Sequence, residues 1–300
     1  MTQPVWHILG AGAIGSLFAC ALSQADSETR LITRPDQSGD VATRDINISS
    51  QFGVRACQAP LSPPQSNTPI EYLLVTTKAY DVRAAVAANC HRFSETSRLV
   101  LMVNGMGVAE ELESDYPKLE IYCATTTEGA YRNSNRDIVH AGSGLTQIGR
   151  GTAEHAPPWF ESWQKMSLGC SWVNDIEQTL WEKLAVNCAI NPLTAVSRCR
   201  NGKLATEAVL RTQLEDLCSE IATVTAAMGY QVLAERLVHR VLEVVRATAN
   251  NRSSMLQDVL AGRQTEIDYI TGHLLKTAAI QNIPVPLNSA IFAEVQQLDA

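Results

Sequence analysis

The 300-residue sequence has no uninterrupted apolar run of the roughly 18 residues that a membrane-spanning helix needs. Its first residues also lack a charged segment followed by an apolar one, so we expect no secretory signal peptide. Basic residues are in deficit, with 24 Lys and Arg against 31 Asp and Glu and a net charge of −7. This balance argues against nucleic acid or an anionic membrane as the main partner. It still allows a local basic pocket for a small anion, and a small-molecule substrate.

Cysteine and histidine are present but not clustered. The eight cysteines include no C-x-x-C pair, and no group of Cys and His has the spacing of a zinc site. We therefore expect no bound metal, free thiols, and a reducing, cytoplasmic location. The sequence leaves a homodimer open and does not decide the oligomeric state.

A glycine-rich turn follows the first apolar segment, residues 5–9. Its G-x-G-x-x-G pattern lies between this predicted strand and a helix of small and apolar residues. Gly10 permits a tight turn, Gly12 lets a pyrophosphate approach the backbone, and Gly15 lets the helix pack on the strand. The phosphates would bind at the helix N-terminus, where N–H groups are free; the alternative is a turn without a ligand. The candidate cofactor-binding residues are Gly10, Ala11, Gly12, Ala13, Ile14 and Gly15.

The second predicted strand ends at Arg34, about 20 residues past the last glycine of the turn. NAD enzymes usually carry Asp or Glu there to bind the ribose 2′-hydroxyl, whereas arginine suits a 2′-phosphate. We therefore predict NADP(H) as the cofactor. The alternative is an ordinary surface arginine.

Polar side chains follow two further buried strands, residues 72–77 and 98–103. Lys78 comes directly after the first of these strands, and Asn104 directly after the second. Ligands bind at the carboxyl ends of strands in parallel sheets, so both residues are candidates for a binding site. The alternatives are a solvated lysine and an ordinary turn asparagine.

The chain changes character near residue 174. Strands and helices alternate over about the first 170 residues, which predicts a mostly parallel, doubly wound α/β domain of Rossmann type over residues 1–173. Apolar residues then recur at i, i+3, i+4 and i+7, so we expect residues 174–300 to form an all-helical domain for substrate and catalysis. The helical segments are residues 176–198, 207–228, 234–250 and 266–281.

The segment 181–195 combines polar and apolar residues in an unusual way. Read as a helix, it places Lys183, Asn187 and Asn191 at i, i+4 and i+8, on one face over about 12 Å. Their neighbours are apolar, and polar groups that are buried need polar partners. This segment alone leaves two interpretations open: a ligand-binding face, or a partly exposed stripe that water satisfies.

Capping signals mark the last helices. Ser253 or Ser254 can cap a short helix, and Thr265 with Asp268 resembles a capping box for the next one. Glu266 then has two interpretations, as a complement to a helix dipole or as a functional carboxylate. The residues alone do not choose between them.

Taken together, these motifs resemble the ketopantoate reductase (2-dehydropantoate 2-reductase) family. The matching motifs are Gly-Ala-Gly-Ala-Ile-Gly, Thr-Lys-Ala-Tyr-Asp-Val, Asn-Gly-Met-Gly, Leu-Ala-Val-Asn-Cys-Ala-Ile-Asn-Pro-Leu-Thr-Ala, Ser-Ser-Met-Leu-Gln-Asp and Thr-Glu-Ile-Asp. The first is widespread, whereas the last two are specific, and their co-occurrence in this order over nearly the whole chain decides the resemblance.

The resemblance implies a role for each matching residue. Lys183 matches the proton donor, Asn187 and Asn191 match substrate contacts, and Glu266 matches a carboxylate near both ligands. The remaining matches are Asn201, Asn251 and Ser254 in the substrate pocket, Lys78 and Ala130 on the cofactor side, and Asn104 at both ligands. One departure is Val103, where many members carry a polar residue; it flanks the turn and puts little in doubt.

The implied reaction is hydride transfer from NADPH to the C2 carbonyl of 2-dehydropantoate. Negative charge then builds on the carbonyl oxygen, and the Lys183 ammonium stabilises it and supplies a proton. Carboxamides would orient the 2-keto acid without adding charge, and Ser254 would donate to its carboxylate.

Two other readings remain at this point. A related two-domain 3-hydroxyacid dehydrogenase also uses a helix-borne Lys and Asn, but should lack the Ser-Ser-Met and Thr-Glu-Ile-Asp segments. A non-catalytic NADPH-binding sensor would not need Lys183 or Glu266. An assay with NADPH and 2-dehydropantoate separates the sensor from the reductase.

Overall fold

The computed structural model of the protein describes residues 4–33, 42–51, 53–135 and 137–299. The chain divides into two compact units. The first comprises Met1–Val103 and Val108–Glu177, and the second Asn104–Gly107 and Gln178–Ala300. The chain therefore enters the second unit briefly at residue 104, an excursion that the predicted division at residue 173 does not include.

The first unit is an α/β structure. Within the described residues its strands are β1 (Val5–Leu9), β2 (Glu28–Ile32), β3 (Thr43–Ser50), β4 (Gly53–Ser62), β5 (Tyr72–Val75), β6 (Arg98–Leu101), β7 (Glu120–Thr126), β8 (Gly129–Arg132), β9 (Ile138–Gly142), β10 (Leu145–Gly149) and β11 (Gly169–Trp172). Its helices are α1 (Ala13–Gln24), α2 (Val82–Ala87), α3 (Val108–Asp115) and α4 (Phe160–Gln164).

These strands form one sheet in the order β11-β10-β7-β6-β5-β1-β2-β4-β3-β9-β8. The central strands β4-β2-β1-β5-β6-β7 are all parallel, in the strand order of a Rossmann fold. The order reverses between β1 and β5, so the turns that leave these two strands flank the point where such sheets bind ligands. The predicted Rossmann-type α/β class is confirmed.

Aromatic side chains hold helices against this sheet. Trp6 on β1 is fully buried, and its ring centroid lies 5.4 Å from that of Trp159 and 5.2 Å from that of Trp163. Phe18 on α1 lies 5.7 Å from the Trp163 ring. These contacts help to hold α1 and the α4 segment against β1, which positions the glycine-rich turn between β1 and α1.

The local sequence pattern predicts the positions of the strands outside the parallel centre of the sheet better than it predicts which strands pair with each other. Residues 45–69 are polar and Pro-rich towards the end, which predicts short strands and a loop. They contain most of the long antiparallel hairpin β3–β4. Period-2 stretches on both sides of a polar turn predict an antiparallel meander over residues 126–149. This prediction is only partly right: β8 and β9 pair with each other, but β10 pairs with β7. Alternation of polar and apolar residues determines which face of a strand is buried, but it does not determine which other strand pairs with it.

The second unit contains only helices among its described residues. They are α5 (Ile176–Val196, which begins in the first unit), α6 (Lys203–Thr206), α7 (Ala208–Ala227), α8 (Gln231–Ala247), α9 (Ser254–Leu260), α10 (Thr271–Ile280) and α11 (Pro286–Asp299). One apolar cluster joins α5, α7, α8, α10 and α11. Trp181 Nε1 donates to Thr225 Oγ1 at 3.0 Å, which ties α5 to α7 inside this cluster.

The expected helix 266–281 begins later than predicted, at Thr271. Thr265 is not its cap, because the N–H and hydroxyl of Thr265 both bind the Asp299 carboxylate. The following residues form turns, in which the N–H groups of Tyr269 and Ile270 both donate to the Glu266 carbonyl at 3.1 Å. Glu266 therefore lies outside the first turn of the helix, and the helix-dipole interpretation does not apply.

Several features are absent from the part of the chain that the structure describes. No helix there has both the length and the apolar character to cross a bilayer. The described residues also contain no group of three or more His, Cys, Asp or Glu that could hold a metal ion. All eight cysteines are described, and none forms a disulfide.

Candidate active site

The polar stripe of α5 forms the centre of the candidate site. Lys183 and Asn187 are half-buried, and Asn191 is only 6% exposed. Within the described residues, the side chains of Asn187 and Asn191 have no hydrogen-bond partner. The Asn191 carboxamide is nearly buried and makes no hydrogen bond within the described residues, which fits a ligand-binding face.

Lys183 is an unusually acidic lysine. Desolvation by the surrounding protein lowers its pKa from 10.5 to about 8, and the negative charge of Glu266 acts in the opposite direction. The ammonium form therefore dominates at neutral pH, yet its pKa is close to the working range. These are the properties of an effective proton donor.

Glu266 interacts both with Lys183 and with Asn104, which belongs to a distant segment of the chain. Its side chain is buried, and its Oε2 accepts a hydrogen bond from Asn104 Nδ2 at 3.3 Å. Asn104, Glu266 and Lys183 all belong to the second unit, although Asn104 is 162 positions from Glu266 in sequence. The structure thus brings together a cation, a carboxylate and a carboxamide that the sequence separates widely.

Two glycines explain how Asn104 reaches this position. Gly105 has φ +87°, and a Cβ there would meet the Tyr269 carbonyl oxygen at 2.3 Å, so the backbones touch directly. Met106 N–H donates to the same oxygen at 2.9 Å. Gly107 has φ +98° and packs against His273. The Asn-Gly-Met-Gly turn is thereby fixed on the segment that carries Glu266.

A contact that the sequence analysis missed fixes that segment from its other side. The Asp299 carboxylate accepts from the Thr265 N–H at 3.2 Å and from the Thr265 hydroxyl at 2.7 Å. Gln296 Nε2 donates to Asp268 Oδ1 at 3.1 Å. Helix α11 therefore holds residues on both sides of Glu266. The only local signal was Thr265 itself, which reads as a helix cap.

The remaining predicted substrate residues lie on a pair of turns after α5 and α8. Asn201 is buried: its N–H donates to the Asn251 carbonyl at 3.0 Å and its Nδ2 to Thr248 Oγ1 at 2.9 Å. The Oδ1 of Asn201 has no partner among the described residues. Asn251 and Ser254 are exposed. An unpaired buried acceptor beside two exposed polar residues is suited to a ligand with donor groups.

Ser253 rather than Ser254 caps helix α9, since Leu256 N–H donates to Ser253 Oγ at 3.1 Å. The Ser253 hydroxyl also lies 2.7 Å from Thr194 Oγ1 on α5. This contact joins the end of the α5 stripe to the start of α9. It leaves the Ser254 hydroxyl, at the first position of that helix, exposed.

The glycine-rich turn lies in the first unit at the switch point of the sheet. Gly10 has φ +102°, and a Cβ there would meet Thr77 N at 2.5 Å. A Cβ on Gly15 would meet the Gly10 oxygen at 2.2 Å and Thr76 Oγ1 at 2.4 Å. Thr76 Oγ1 donates to the Gly10 carbonyl at 2.7 Å, joining the turns after β1 and β5.

At Gly12, in contrast, no close contact among the described residues requires glycine. Among the described residues, only the Gly10 oxygen lies within 4 Å of a Cβ built there, at 3.9 Å. In that part of the chain the turn leaves open space where the backbone of α1 begins, and no described side chain caps the helix. Its first N–H groups have no intrahelical acceptor. These residues fit the diphosphate of a dinucleotide.

Three further predicted cofactor residues have different outcomes. Lys78 is half-buried and directly precedes a 3₁₀ turn after β5. Ala130 lies on β8 and pairs with His140, whose Nε2 lies 2.5 Å from the Glu128 carboxylate in a buried pair that the sequence analysis did not identify. Arg34 lies outside the described residues.

The first unit is a Rossmann sheet with an open glycine turn at its switch point, and the second is helical and carries a half-buried lysine of lowered pKa among amides. This combination is typical of a nicotinamide-dependent dehydrogenase. The family model "Ketopantoate reductase PanE/ApbA" matches residues 6–153, and "Ketopantoate reductase PanE/ApbA C terminal" matches residues 175–299. The chain belongs to the ketopantoate reductase family.

Individual relatives agree with this assignment. A 2-dehydropantoate 2-reductase of Salmonella typhi is 37% identical over 296 residues, covering 98% of this chain and 94% of that protein. A dimeric ketopantoate reductase from Staphylococcus aureus has a TM-score of 0.83 at 18% identity, covering 98% of both chains. A ternary structure of D-mandelate dehydrogenase with NADH and anilino(oxo)acetate has a TM-score of 0.88 at 19% identity, again over 98% of both chains. The two structures establish similarity of fold. Family membership argues against the 3-hydroxyacid dehydrogenase and sensor readings.

Proposed function

We propose that this protein reduces 2-dehydropantoate to pantoate, the ketopantoate reductase step of pantothenate biosynthesis. The observation that supports this most strongly is the half-buried Lys183, whose charge interacts with Glu266 and which shares a helix face with two unpaired carboxamides. An ammonium, an acceptor and neutral donors are what reduction of a 2-keto acid requires.

Lys183 is the proton donor in this proposal. As the C2 carbonyl is reduced, negative charge develops on its oxygen, and a nearby ammonium stabilises that charge more strongly in a desolvated site than in water. The carbonyl oxygen then takes the Nζ proton, and Lys183 regains a proton from solvent. A pKa of about 8 makes this transfer easier than from an ordinary lysine while keeping the proton in place at pH 7.

Glu266 keeps Lys183 charged and holds Asn104 in position. Its charge opposes the desolvation that would otherwise lower the Lys183 pKa further. Asn187 and Asn191 orient the substrate by hydrogen bonds without adding a charge that would compete with the ammonium. Asn201, Asn251 and Ser254 supply polar contacts at the other end of the α5 stripe.

NADPH is the proposed form of the nicotinamide cofactor, and it supplies the hydride. The residues that would hold its diphosphate are the glycine turn Gly10–Gly15 and the N-terminus of α1. Lys78 and Ala130 lie on loops and strands of the same unit. Arg34 would bind the 2′-phosphate, an assignment that rests on its place in the sequence after β2.

The assay that tests this function mixes purified protein with NADPH and 2-dehydropantoate and follows the absorbance of the reduced cofactor. We expect oxidation that depends on both compounds, with pantoate as the product by chromatography. The same mixture with Lys183→Ala protein is the matched control. Absence of oxidation by a folded protein that binds NADPH would remove the proposal. Parallel reactions with other branched 2-keto acids define the specificity.

We also propose that the enzyme is a cytoplasmic homodimer. Eight unpaired thiols favour a reducing compartment, and the Staphylococcus aureus relative supports the dimer. Light scattering on the purified protein measures the mass directly. A monomer at assay concentrations would contradict the oligomeric part and leave the reaction unaffected.

A further inference from the structure

A basic cavity lies on the helical unit, outside the residues assigned to the reaction. Its volume is about 320 Å³, and its lining consists of Arg198, Cys199, Arg200, Lys203 and Arg252. Four of these five residues are cations, and none is a carboxylate. The volume lies in the range of about 300–1,000 Å³ that is usual for small-molecule sites.

The guanidinium groups of the basic cavity have no counter-charge from the part of the chain that the structure describes. Among the residues that the structure describes, no carboxylate forms an ion pair within 4.0 Å of Arg198, Arg200 or Arg252. Lys203 is paired with Glu207, at 2.8 Å. All three arginines are exposed, so water weakens their mutual repulsion, and an anion bound among them would be attracted by all three guanidinium groups. Such a concentration of positive charge is unexpected in a chain of net charge −7.

Arg198 occupies a backbone position where glycine is the usual residue. Helix α5 ends in a Schellman motif, in which Cys199 N–H donates to the Thr194 carbonyl at 3.2 Å and Arg198 N–H to the Ala195 carbonyl at 3.4 Å. The φ of Arg198 is +48°, in the left-handed region that disfavours side chains. The chain thus accepts strain at the residue that brings a guanidinium into the cavity lining.

Helix dipoles do not account for all of these cations. Arg198 and Arg200 follow the C-terminus of α5, where positive charge is favourable. Arg252, however, lies two positions before the start of α9, and the N-terminal end of a helix disfavours a cation. The guanidinium of Arg252 is exposed and so is accessible to a ligand from solvent.

We propose that the basic cavity binds a small polyanion that carries a diphosphate group. Guanidinium forks bind phosphate oxygens bidentately, and several forks can share one diphosphate. A monocarboxylate such as the substrate would engage only one fork. The basic cavity also adjoins the substrate turns, because Arg200 donates to the Asn250 carbonyl and Asn201 N–H donates to the Asn251 carbonyl.

Calorimetric titration with inorganic pyrophosphate tests the proposal. The titration is made with and without saturating NADPH, which separates the basic cavity from the glycine turn. We expect one pyrophosphate per chain to remain bound in the presence of NADPH. Arg252→Gln should weaken that binding about tenfold or more, which corresponds to about 1.4 kcal/mol.

Arg198→Gly provides a second variant that should not unfold the protein. Glycine suits a φ of +48°, so this variant should melt at the same temperature as the wild type or higher, yet bind pyrophosphate about tenfold more weakly. Arg236→Gln, on an exposed part of α8, changes the net charge equally and should leave the affinity within about twofold.

Two results would overturn the site. One is no saturable pyrophosphate binding in the presence of NADPH. The other is an equal loss in Arg236→Gln and Arg252→Gln, which would show general charge attraction only. Since the titration measures binding and not turnover, its failure and a failure of the reductase assay are separate outcomes.

Discussion

The Asp299 carboxylate binds both the backbone N–H and the hydroxyl of Thr265, the residue immediately before Glu266. Thr265 is buried, so these hydrogen bonds are shielded from competing water. They fix the chain where it carries Glu266 into a turn and not into the helix that its sequence favours.

Asp299→Ala should therefore impair the reaction through Glu266. Hydrogen bonds to a charged group contribute roughly 1.5–3 kcal/mol each, so loosening this segment should lower kcat/KM about tenfold or more. Asp299→Asn keeps one acceptor oxygen and should retain most activity. The matched control is Asp216→Ala, an exposed carboxylate on α7, with unchanged kinetics expected. If Asp299→Ala has a normal kcat/KM but a lower melting temperature, then Asp299 only anchors α11 and does not act on the reaction through Glu266.

Glu266→Gln should move a pH profile as well as reduce a rate. The negative charge of Glu266 raises the Lys183 pKa, so its removal should shift the basic limb of kcat/KM from near pH 8 to lower pH. The melting temperature should hardly change. Glu182→Gln, beside Lys183 in sequence but paired with Arg240 at 3.0 Å, is the control and should leave the limb in place. If the basic limb does not shift in Glu266→Gln, then Glu266 does not influence the pKa of Lys183.

Lys183→Ala should lower kcat by roughly 10²–10⁴, the usual range for a lost general acid. The basic limb near pH 8 should disappear with the side chain, because in the wild type the proton is progressively lost above the pKa of Lys183. NADPH affinity, measured by fluorescence titration, should stay within about threefold, since that residue is absent from the glycine turn. A variant with a kcat close to that of the wild type would show that Lys183 is not the proton donor and has only a binding or structural role.

Arg34→Ala tests the choice between the two nicotinamide cofactors. A guanidinium on the 2′-phosphate contributes roughly 1.5–3 kcal/mol per charge-assisted bond, so the variant should bind NADPH about tenfold or more weakly. NADH binding should be nearly unchanged. Arg30→Ala, on β2 and paired with Glu28 at 2.6 Å, controls for general loss of charge. Equal losses for both cofactors in Arg34→Ala would remove the NADP assignment.

His7 should make the first unit sensitive to acid. The imidazole is buried in β1, neither ring nitrogen has a partner among the described residues, and burial together with Arg92 and Arg30 lowers its pKa from 6.5 to about 4. The unfolded chain then binds a proton that the folded chain rejects. Stability is therefore full above pH 6.5 and declines as the pH falls towards 4, by an amount of the order of 3 kcal/mol.

Denaturant unfolding at several pH values between 7 and 4 measures this decline in the free energy of unfolding. His7→Leu removes the titrating group and should flatten the curve in that window. His155→Leu, an exposed histidine in the same unit, is the control and should not. Parallel curves for the wild type and His7→Leu would assign the acid sensitivity to other groups.

Local patterns predicted those parts of the site that a single element carries. The α5 stripe follows from helical spacing alone, because residues at i, i+4 and i+8 share a face whatever the helix packs against. The glycine turn follows in the same way from its position between a strand and a helix. Both elements occur where the sequence places them.

Contacts between distant segments could not be predicted in this way. Asn104 and Glu266 are 162 positions apart, and Thr265 and Asp299 are 34 apart. Periodicity reports which face of an element is apolar, and it contains no information about which distant residue will meet that face. The resemblance to a family marked Asn104 and Glu266 as important, but only the structure shows the hydrogen bond between them.

The excursion of Asn104–Gly107 into the helical unit affects how this architecture can be recombined. A chimera of two relatives joined at one point near residue 177 would take Glu266 from one parent and Asn104 from the other. Gly105, which lies against the Tyr269 backbone, would also be separated from the surface that it fits. Residues 104–107 and the helical unit must therefore come from the same parent, although they are separate in sequence. A functional chimera of two relatives needs three junctions.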